Sequence, residues 1–175
     1  MNQTVKKVNK IRVSGADRFA QLAAMGEVAF TTQDAATIWN IKNRSTLRML
    51  LARYVKRGLL YRIWRGLYSV VPPAKINPML LGIKALHRYA YVSCETVLFN
   101  EGLINQRPTE ITLVSNVSRR FLLLGNYYRS RKMRDEALYD ASGISVQNGV
   151  RIASIERAKR DMDYYNSKKY YDADN

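Results

Sequence analysis

Cysteine and histidine are almost absent from this chain, which has 175 residues and one of each, Cys94 and His87. A single cysteine cannot form an intramolecular disulfide and is typical of a reducing compartment, so we expect the protein in the cytoplasm. A zinc site needs about four ligands at a recognisable spacing, so the sequence predicts no metal and no cofactor. A Cys–His catalytic pair needs hydrogen-bond contact between its side chains, which the predicted helix end between these two residues does not favour.

Long apolar runs and phosphate-binding glycine loops are also lacking. The chain has no stretch of about 18 apolar residues, so we expect no membrane span, and its first residues lack the apolar core of a signal peptide. No glycine-rich loop is suited to cradle a phosphate. Glu110-Ile111-Thr112 lies on a predicted strand without the nearby lysine that nucleases use. These absences favour a protein that is not an enzyme, with a DNA-targeted nuclease as an alternative.

Acidic residues are few compared with basic ones. Lys and Arg total 29 against 14 Asp and Glu, a net charge of +15. Residues 1–76 contain 14 basic and 3 acidic residues, net +11, whereas residues 77–175 contain 15 and 11, net +4. A basic surface binds polyanions by releasing condensed counterions. We therefore expect nucleic acid to bind the first half; anionic lipid is the alternative, although lipid-binding segments usually gather their cations on one amphipathic helix.

Two predicted helices in residues 31–57 are separated by a polar turn. Thr31 or Thr32 is suited to cap a helix over 33–39. The next helix, over 44–57, ends in a basic turn before Gly58. Its apolar residues recur with the helical period and form one buried face: Leu47, Leu50, Leu51, Tyr54 and Val55.

A predicted hairpin follows the second helix. Short β-rich runs over 59–63 and 67–71 flank Trp64-Arg65-Gly66, and Pro72-Pro73 ends the second run. Helix, turn, helix and hairpin in this order are typical of a winged helix-turn-helix, which places one helix in the DNA major groove and the hairpin on the backbone. Double-stranded DNA is therefore the predicted partner.

The second half reads as mixed α and β, so the predicted fold class is α+β. We expect helices over 78–89, over 94–100 with Ser93 as cap, and after Ser154. Strands are expected over 110–115 and in two hairpins, around Gly125-Asn126 and Asn148-Gly149. The predicted organisation is a basic flexible arm over 1–14, a winged helix-turn-helix over 15–71, a linker over 72–77, a mixed α/β domain over 78–165 and a frayed tail over 166–175.

Ten side chains are predicted to contact DNA. The first turns of the second helix lie deepest in the groove, and there Asn43 is suited to adenine and Lys42 to guanine. The arginines of the helix are expected on phosphates, and those of the hairpin, Arg62 and Arg65, on phosphates or in the minor groove. A solvated helix face is the alternative for the charged members. The full set is Lys42, Asn43, Arg44, Ser45, Thr46, Arg48, Met49, Arg53, Arg62 and Arg65.

A second basic set lies in the predicted strands of the second half. Arginine interleaved with Phe121, Tyr127 and Tyr128 is a pattern that can hold nucleic acid. Strands with a solvated basic face are the alternative. The members predicted to extend the nucleic-acid contact are Arg119, Arg120, Arg129, Arg131 and Lys132.

Three stretches in order resemble one known family. They are LARYVKRGLLYRIWRGLYSV; Ala90-Tyr91-Val92-Ser93-Cys94-Glu95-Thr96-Val97-Leu98 with Glu101-Gly102-Leu103-Ile104; and Val150-Arg151-Ile152-Ala153-Ser154-Ile155-Glu156-Arg157-Ala158 with Asp161. Together they are similar to the AbiEi-type antitoxins, transcriptional regulators of type IV toxin–antitoxin systems in abortive infection and viral defence.

The resemblance implies a cytoplasmic autorepressor encoded beside a toxin gene. Its winged helix would bind inverted repeats in its own promoter, and its second domain would act against a nucleotidyltransferase-like toxin without a stable complex. This chain stops soon after the Glu156-Arg157-Ala158 helix, whereas many members of the family run longer. A stand-alone DNA-binding regulator from a mobile element, without a cognate toxin, is the alternative.

Overall fold

Three helices and three short strands form the first part of the chain in the computed structural model, which describes residues 14–171. They are α1 (Gly15–Ala24), β1 (Ala29–Thr31), α2 (Thr32–Ile38), α3 (Arg44–Lys56), β2 (Tyr61–Trp64) and β3 (Leu67–Ser69). β3 lies between β1 and β2 and is antiparallel to both. Residues 1–13 of the predicted arm lie outside the described residues, and Ser14, the last residue assigned to the arm, instead caps α1.

Local signals set the ends of α2 and α3. Thr31 caps α2 and forms a reciprocal capping box with Asp34, so the predicted cap is confirmed. Asn43 caps α3. At the other end of α3, Gly58 has a φ of +69°, a backbone conformation that favours glycine. The predicted helices over 33–39 and 44–57 are therefore present, each within one or two residues of the expected bounds.

A small core holds these helices on their sheet. The predicted apolar face of α3 is confirmed, because Leu47, Leu51 and Tyr54 are buried, while Leu50 and Val55 pack against them. Polar groups at the edge of this core also have partners: the Trp39 indole nitrogen donates to a backbone carbonyl of α1 at 2.9 Å, and the Tyr54 hydroxyl donates to another at 2.8 Å. The remaining buried members are Leu22, Phe30, Ala35, Leu60 and Tyr68.

A six-stranded mixed sheet forms the second part of the chain. Its elements are α4 (Pro78–Ala85), β4 (Ala90–Val92), α5 (Glu95–Asn100), β5 (Ile111–Ser115), β6 (Arg119–Leu123), β7 (Asn126–Lys132), α6 (Asp135–Leu138), β8 (Ile144–Gln147), β9 (Val150–Ala153) and α7 (Ile155–Tyr171). The strand order is β6-β7-β5-β4-β9-β8; β4–β9 and β5–β7 are parallel and the other pairs antiparallel. The chain therefore belongs to the α+β class, as predicted.

Helices cover both faces of this sheet. The Tyr128 hydroxyl donates to the Pro78 carbonyl in α4 at 2.9 Å, whereas Arg131 pairs with Glu95 of α5 and lies over Tyr165 of α7. Side chains three positions apart on a strand point to opposite faces. It follows that α4 lies on one face, with α5 and α7 on the other. Within residues 14–171, no helix is both long enough and apolar enough to span a bilayer.

Several expectations for the second part are wrong. The helix predicted over 78–89 ends at Ala85, because the chain turns at His87, whose φ is +54°, and enters β4, which was not predicted. Ser93 does not cap α5; Cys94 occupies that position without a side-chain bond, and the Ser93 hydroxyl donates to Asp161 at 2.7 Å. The tail predicted to fray from residue 166 is helical as far as Tyr171, and residues 172–175 lie outside the described part.

The segment over 72–77, predicted as a linker, is structured and packed. It contains a 3-10 turn, Pro73–Lys75, followed by Ile76, which is 5% exposed. The large core that includes Ile76 also takes in Ala29 of β1 and Leu67 of β3, both fully buried. A Lys84–Glu27 salt bridge joins the two parts at the surface. The first sheet therefore packs directly on the second part.

Candidate nucleic-acid interface

The outer face of α3 is exposed. Ser45, Met49, Ala52 and Lys56 lie on the side opposite the small core, and Met49 is 47% exposed. All ten residues predicted to contact DNA have exposed side chains. Such a helix has one face committed to its own core and the other available to a ligand, which is what groove insertion requires.

A cleft of about 1170 Å³ separates α3 from the hairpin β2–β3. Lys42, Arg44 and Arg48 line it on the α3 side, and Arg62 and Arg65 line it on the hairpin side. Residues of α2 and of the turn that follows it also line the cleft. In the part of the chain that the structure describes, no acidic residue lines it. The structure thus brings together half of the ten predicted residues around one concave surface. The other lining residues are Thr32, Gln33, Ala36, Thr37, Asn40, Ile41, Leu47, Ala52, Gly66, Tyr68 and His87.

The five cations of this cleft keep their charge available. Among residues 14–171, none of them has a carboxylate partner. The acid of α2, Asp34, accepts hydrogen bonds at one carboxylate oxygen from the Thr31 backbone N–H at 2.7 Å and from the Thr31 hydroxyl at 2.9 Å. A concave surface lined by one sign of charge concentrates the electric field and raises the local concentration of the opposite ion. The ligand this cleft favours is a polyanion.

The hairpin turn is fixed by contacts from both parts of the chain. The Gly66 carbonyl accepts from the Thr32 backbone N–H at 2.9 Å. His87 Nε2 lies 3.0 Å from the Arg65 carbonyl oxygen and donates to it. Because Gly66 has a φ of +74°, a backbone conformation in which a side chain is strained, this position of the turn favours glycine. The exposed Arg65 side chain therefore extends from a held backbone.

The structure assigns different positions to Trp64 and His87, which lie on either side of the hairpin turn in sequence. Trp64 packs against the large core, with its ring centre 6.5 Å from that of Phe121, so its role is structural. His87 lies at the rim of the cleft, whereas Cys94 is fully buried at the start of α5. The only signal for His87 in the sequence was that it is the sole histidine. Its place beside the hairpin depends on packing between the two parts.

Asn43 has a different role from the one its position suggested. Its side-chain oxygen accepts from the Ser45 backbone N–H at 2.9 Å, from the Thr46 backbone N–H at 3.1 Å and from the Ser45 hydroxyl at 2.6 Å. A bidentate contact with adenine needs that same oxygen as an acceptor, so it would compete with the helix cap. An asparagine just before a helix is a capping signal, and the sequence could have shown this.

The remaining predicted contact residues lie outside the cleft. Arg53 is on the far edge of α3, with a guanidinium nitrogen 3.4 Å from the sulfur of Met49. Thr46 shares that edge, and Ser45 lies on the outer face. The predicted set therefore divides into five cations that line the cleft and five residues outside it, of which only Arg53 is charged.

The second basic set is not brought together with the cleft, and its charges are partly neutralised. Arg120 pairs with Glu110 at 3.1 Å, and Arg131 pairs with Glu95 at 3.3 Å. Arg131 also lies 3.9 Å above the Tyr165 ring, and its side chain is 11% exposed. Arg129 is half-buried, which leaves Arg119 and Lys132 exposed. Glu110, the acid that a nuclease alternative would use, is the partner of Arg120 in one of these salt bridges.

A buried network joins the second and third of the resembling stretches. Arg157, whose side chain is 3% exposed, donates to the Asp161 carboxylate at 2.9 Å and to the Tyr91 hydroxyl at 2.8 Å. It also donates to the carbonyls of Ala137, Asp140 and Ser142. These five bonds equal the number of N–H donors on a guanidinium group. The second Asp161 oxygen accepts from Ser93.

This network stabilises the fold rather than exposing a reactive group. Burial alone would lower the pKa of Arg157, but the Asp161 carboxylate and Tyr91 outweigh it, and the pKa lies above its usual value. Burial also raises the pKa of Tyr91. Over residues 14–167, every buried side-chain nitrogen or oxygen has a hydrogen-bond partner. The polar groups of this network are therefore engaged within the protein itself.

Cys94 is chemically quiet despite its unusual backbone. Its φ of +56° and ψ of −134° form a combination that non-glycine residues rarely adopt. Burial, and then the neighbouring Glu95 carboxylate, raise the pKa of the Cys94 thiol to about 12. In the described part of the chain, no group of three or more His, Cys, Asp or Glu residues is placed to hold a metal ion.

The comparisons with known proteins leave the site to be interpreted from its own geometry. No protein-family model matches the chain, and no curated protein sequence matches it significantly. The exposed, unpaired cations of the cleft therefore provide the main evidence about function, and the buried network provides evidence about the fold.

Proposed function

We propose that this chain is a sequence-specific DNA-binding transcriptional regulator whose residues 15–71 form a winged helix-turn-helix. In this arrangement α3 enters the major groove, and the hairpin lies on the sugar-phosphate backbone. The observation that carries the proposal is the cleft in which five cations without acidic partners converge from α3 and the hairpin. Phosphate contacts of this kind provide affinity and position the protein on the duplex.

The side chains outside the cleft suit base contact. Ser45 and Thr46 are short, polar and exposed in the first turn of α3, so they allow close approach to base edges. The exposed Met49 is suited to apolar contact with a thymine methyl group. A lipid surface would meet a convex array of cations, whereas these line a concave cleft. Duplex DNA is thus the polyanion that accounts for both groups of residues.

The salt dependence of binding tests this proposal. Replacing Arg48 or Arg65 by Ala should weaken binding to every duplex and lower the magnitude of the log–log salt slope by about one unit for each lost phosphate contact. Fluorescence anisotropy of the full chain on a labelled duplex, at several salt concentrations, measures both quantities. Arg107→Ala is the matched control, because Arg107 is exposed and does not line the cleft. Unchanged slopes in the Arg48 and Arg65 variants would remove the proposal.

We further propose that the regulator is an AbiEi-type autorepressor and antitoxin of a type IV toxin–antitoxin operon, active in the cytoplasm. The support is the ordered trio of resembling stretches, two of which meet through Tyr91, Ser93, Arg157 and Asp161. Its DNA partner would be inverted repeats in its own promoter. Its functional partner would be a nucleotidyltransferase-like toxin, without a stable complex.

Two experiments test the autorepressor and the antitoxin parts of this second proposal separately. The first is footprinting on the chain's own promoter, and the second is co-expression with a nucleotidyltransferase-type toxin from the neighbouring gene. Protection of inverted repeats together with relief of toxicity is the expected result. Protection without relief would support a stand-alone regulator and contradict the antitoxin assignment.

A further inference from the structure

A second groove, of about 370 Å³, lies next to the basic cleft. It is formed where α2 and its cap meet α4 and β9, and its lining includes Arg88, Tyr89 and Arg151 of the second part. Gln33 and His87 line both the cleft and this groove. The two concave surfaces are therefore continuous across His87, beside the anchored hairpin turn.

Two of the three lysine and arginine side chains that line this groove, Arg88 and Arg151, are free of acidic partners within residues 14–171. Arg88 donates to the Leu86 carbonyl and to the side-chain oxygen of Asn116, both neutral groups. The Arg151 guanidinium lies 5.2 Å from the centre of the Tyr89 ring. Within residues 14–171, neither arginine forms a salt bridge. Both keep N–H donors available at the surface.

One acid, the Asp34 carboxylate, faces the same groove. One of its carboxylate oxygens accepts from the Thr31 backbone and hydroxyl. Lys84 also lines the groove and pairs with Glu27. With Lys84 paired to Glu27, the two arginines Arg88 and Arg151 exceed Asp34 by one positive charge, so the net charge of the groove has the same sign as the charge of the cleft.

Aromatic packing fixes part of the groove wall. The centre of the Tyr89 ring lies 5.3 Å from that of the exposed Tyr139 ring. The Arg151 guanidinium lies over the Tyr89 ring at a distance typical of a cation–π pair. A guanidinium group held on an aromatic ring loses less conformational freedom when it binds a phosphate. Arg151 is thus better prepared for an anion than a freely rotating surface arginine.

We infer that Arg88 and Arg151 form a second DNA-backbone subsite, through which the second part of the chain binds phosphates flanking the segment read by α3. The inference rests on the proposed DNA-binding function. A duplex seated in the cleft continues past Arg65 and His87 and reaches this groove. The subsite differs from the β6–β7 set, in which Arg120 and Arg131 are neutralised by Glu110 and Glu95.

Duplex length provides the test. The full chain is titrated with two duplexes, a short one that covers only the α3 and hairpin contacts and one extended by about half a helical turn on each side. The wild-type chain should bind the longer duplex with higher affinity and a steeper salt slope. The double variant Arg88→Ala/Arg151→Ala should lose that gain, with the slope reduced by about one unit for each lost phosphate contact, and should bind the short duplex like the wild type.

Each other outcome has a separate meaning. If the wild type binds neither duplex, the proposed DNA-binding function itself fails. If the wild type binds and Arg48→Ala weakens it, but the double variant keeps the gain on the longer duplex, only the subsite is overturned. If the double variant bound both duplexes more weakly by the same factor, or if Arg107→Ala also lost the gain on the longer duplex, the effect would be one of general charge. Either result would also overturn the subsite. Thermal unfolding of each variant checks that the fold is retained.

Discussion

Arg157 and Arg65 are the same residue type in two opposite surroundings. The Arg157 side chain is 3% exposed and donates five hydrogen bonds, whereas Arg65 is exposed at a cleft and, among the described residues, has no acidic partner. A guanidinium group has five donors and no acceptor, so burial is tolerated only when all five are satisfied. The difference separates an arginine that stabilises the fold from one that is available to a ligand.

The same contrast applies to the two basic surfaces. The β6–β7 strands are as rich in arginine as α3 and the hairpin, yet Glu110 and Glu95 neutralise two of their arginines. The density of basic residues in a sequence is therefore a poor guide to where a polyanion binds. What decides is whether an acid faces each cation, and pairing of this kind depends on tertiary structure.

Removal of Arg157 should have the largest effect on stability. Arg157→Ala leaves the Asp161 carboxylate buried without its cation, which is expected to lower the free energy of unfolding by about 3–5 kcal/mol. Urea unfolding followed by circular dichroism measures the change. Arg160→Ala, an exposed arginine one turn along α7, is the control and should cost less than about 1 kcal/mol. Equal losses for both variants would contradict the structural role of the network.

The reactivity of Cys94 tests whether the interior of the second part is closed to solvent, in contrast to the exposed cleft. Because burial raises the thiol pKa from 9.0 to about 12, the folded chain should resist iodoacetamide at pH 8.5, while the urea-unfolded chain should react readily. Mass spectrometry is unambiguous here, since the chain has a single cysteine. Rapid labelling of the native protein would show that the α5 region opens independently.

The raised pKa of Cys94 also fixes the sign of its pH dependence. The folded state keeps the thiol proton up to about pH 12, whereas the unfolded thiol ionises from about pH 9. Above that pH the unfolded state binds fewer protons, so this contribution to stability is complete below pH 9 and is lost as the pH rises towards 12. Cys94→Ala should remove this pH-dependent contribution. The free energy of unfolding of the variant should therefore decline less steeply just above pH 9 than that of the wild type.

Local signals explain which elements the sequence could predict. Thr31, Gly58 and Gly66 mark helix ends and a turn through backbone chemistry that acts over a few residues, so α2, α3 and the hairpin were predicted within small errors. β4 was missed because its three residues are all buried. A short strand without alternation has no periodic pattern to recognise.

Long-range contacts explain what the sequence could not predict. Ser93 and Asp161 are 68 residues apart, and only the folded sheet brings them to 2.7 Å. The Arg157–Asp161 pair, four residues apart on a helix, has the spacing of an ordinary surface ion pair, and its burial becomes apparent only when α7 packs. Similarly, the cations of the cleft were predicted individually, but the meeting of the cleft with Arg88 and Arg151 depends on how the two parts pack.

The smallest expected effect concerns His87, which links the exposed cleft to the second part of the chain. His87→Asn keeps a residue that tolerates positive φ but has a shorter side chain, so the hydrogen bond to the Arg65 carbonyl is lost. The hairpin turn should loosen, with a cost in DNA binding of about 0.5–1 kcal/mol, roughly a twofold to fivefold loss of affinity.

Because the loss acts through Arg65, His87→Asn should be non-additive with Arg65→Ala in a double-mutant cycle. It should be additive with Arg48→Ala, because Arg48 lies on α3 and not on the hairpin turn. Additivity with both variants would mean that His87 does not position Arg65, and that the second part acts on DNA only through its own arginines.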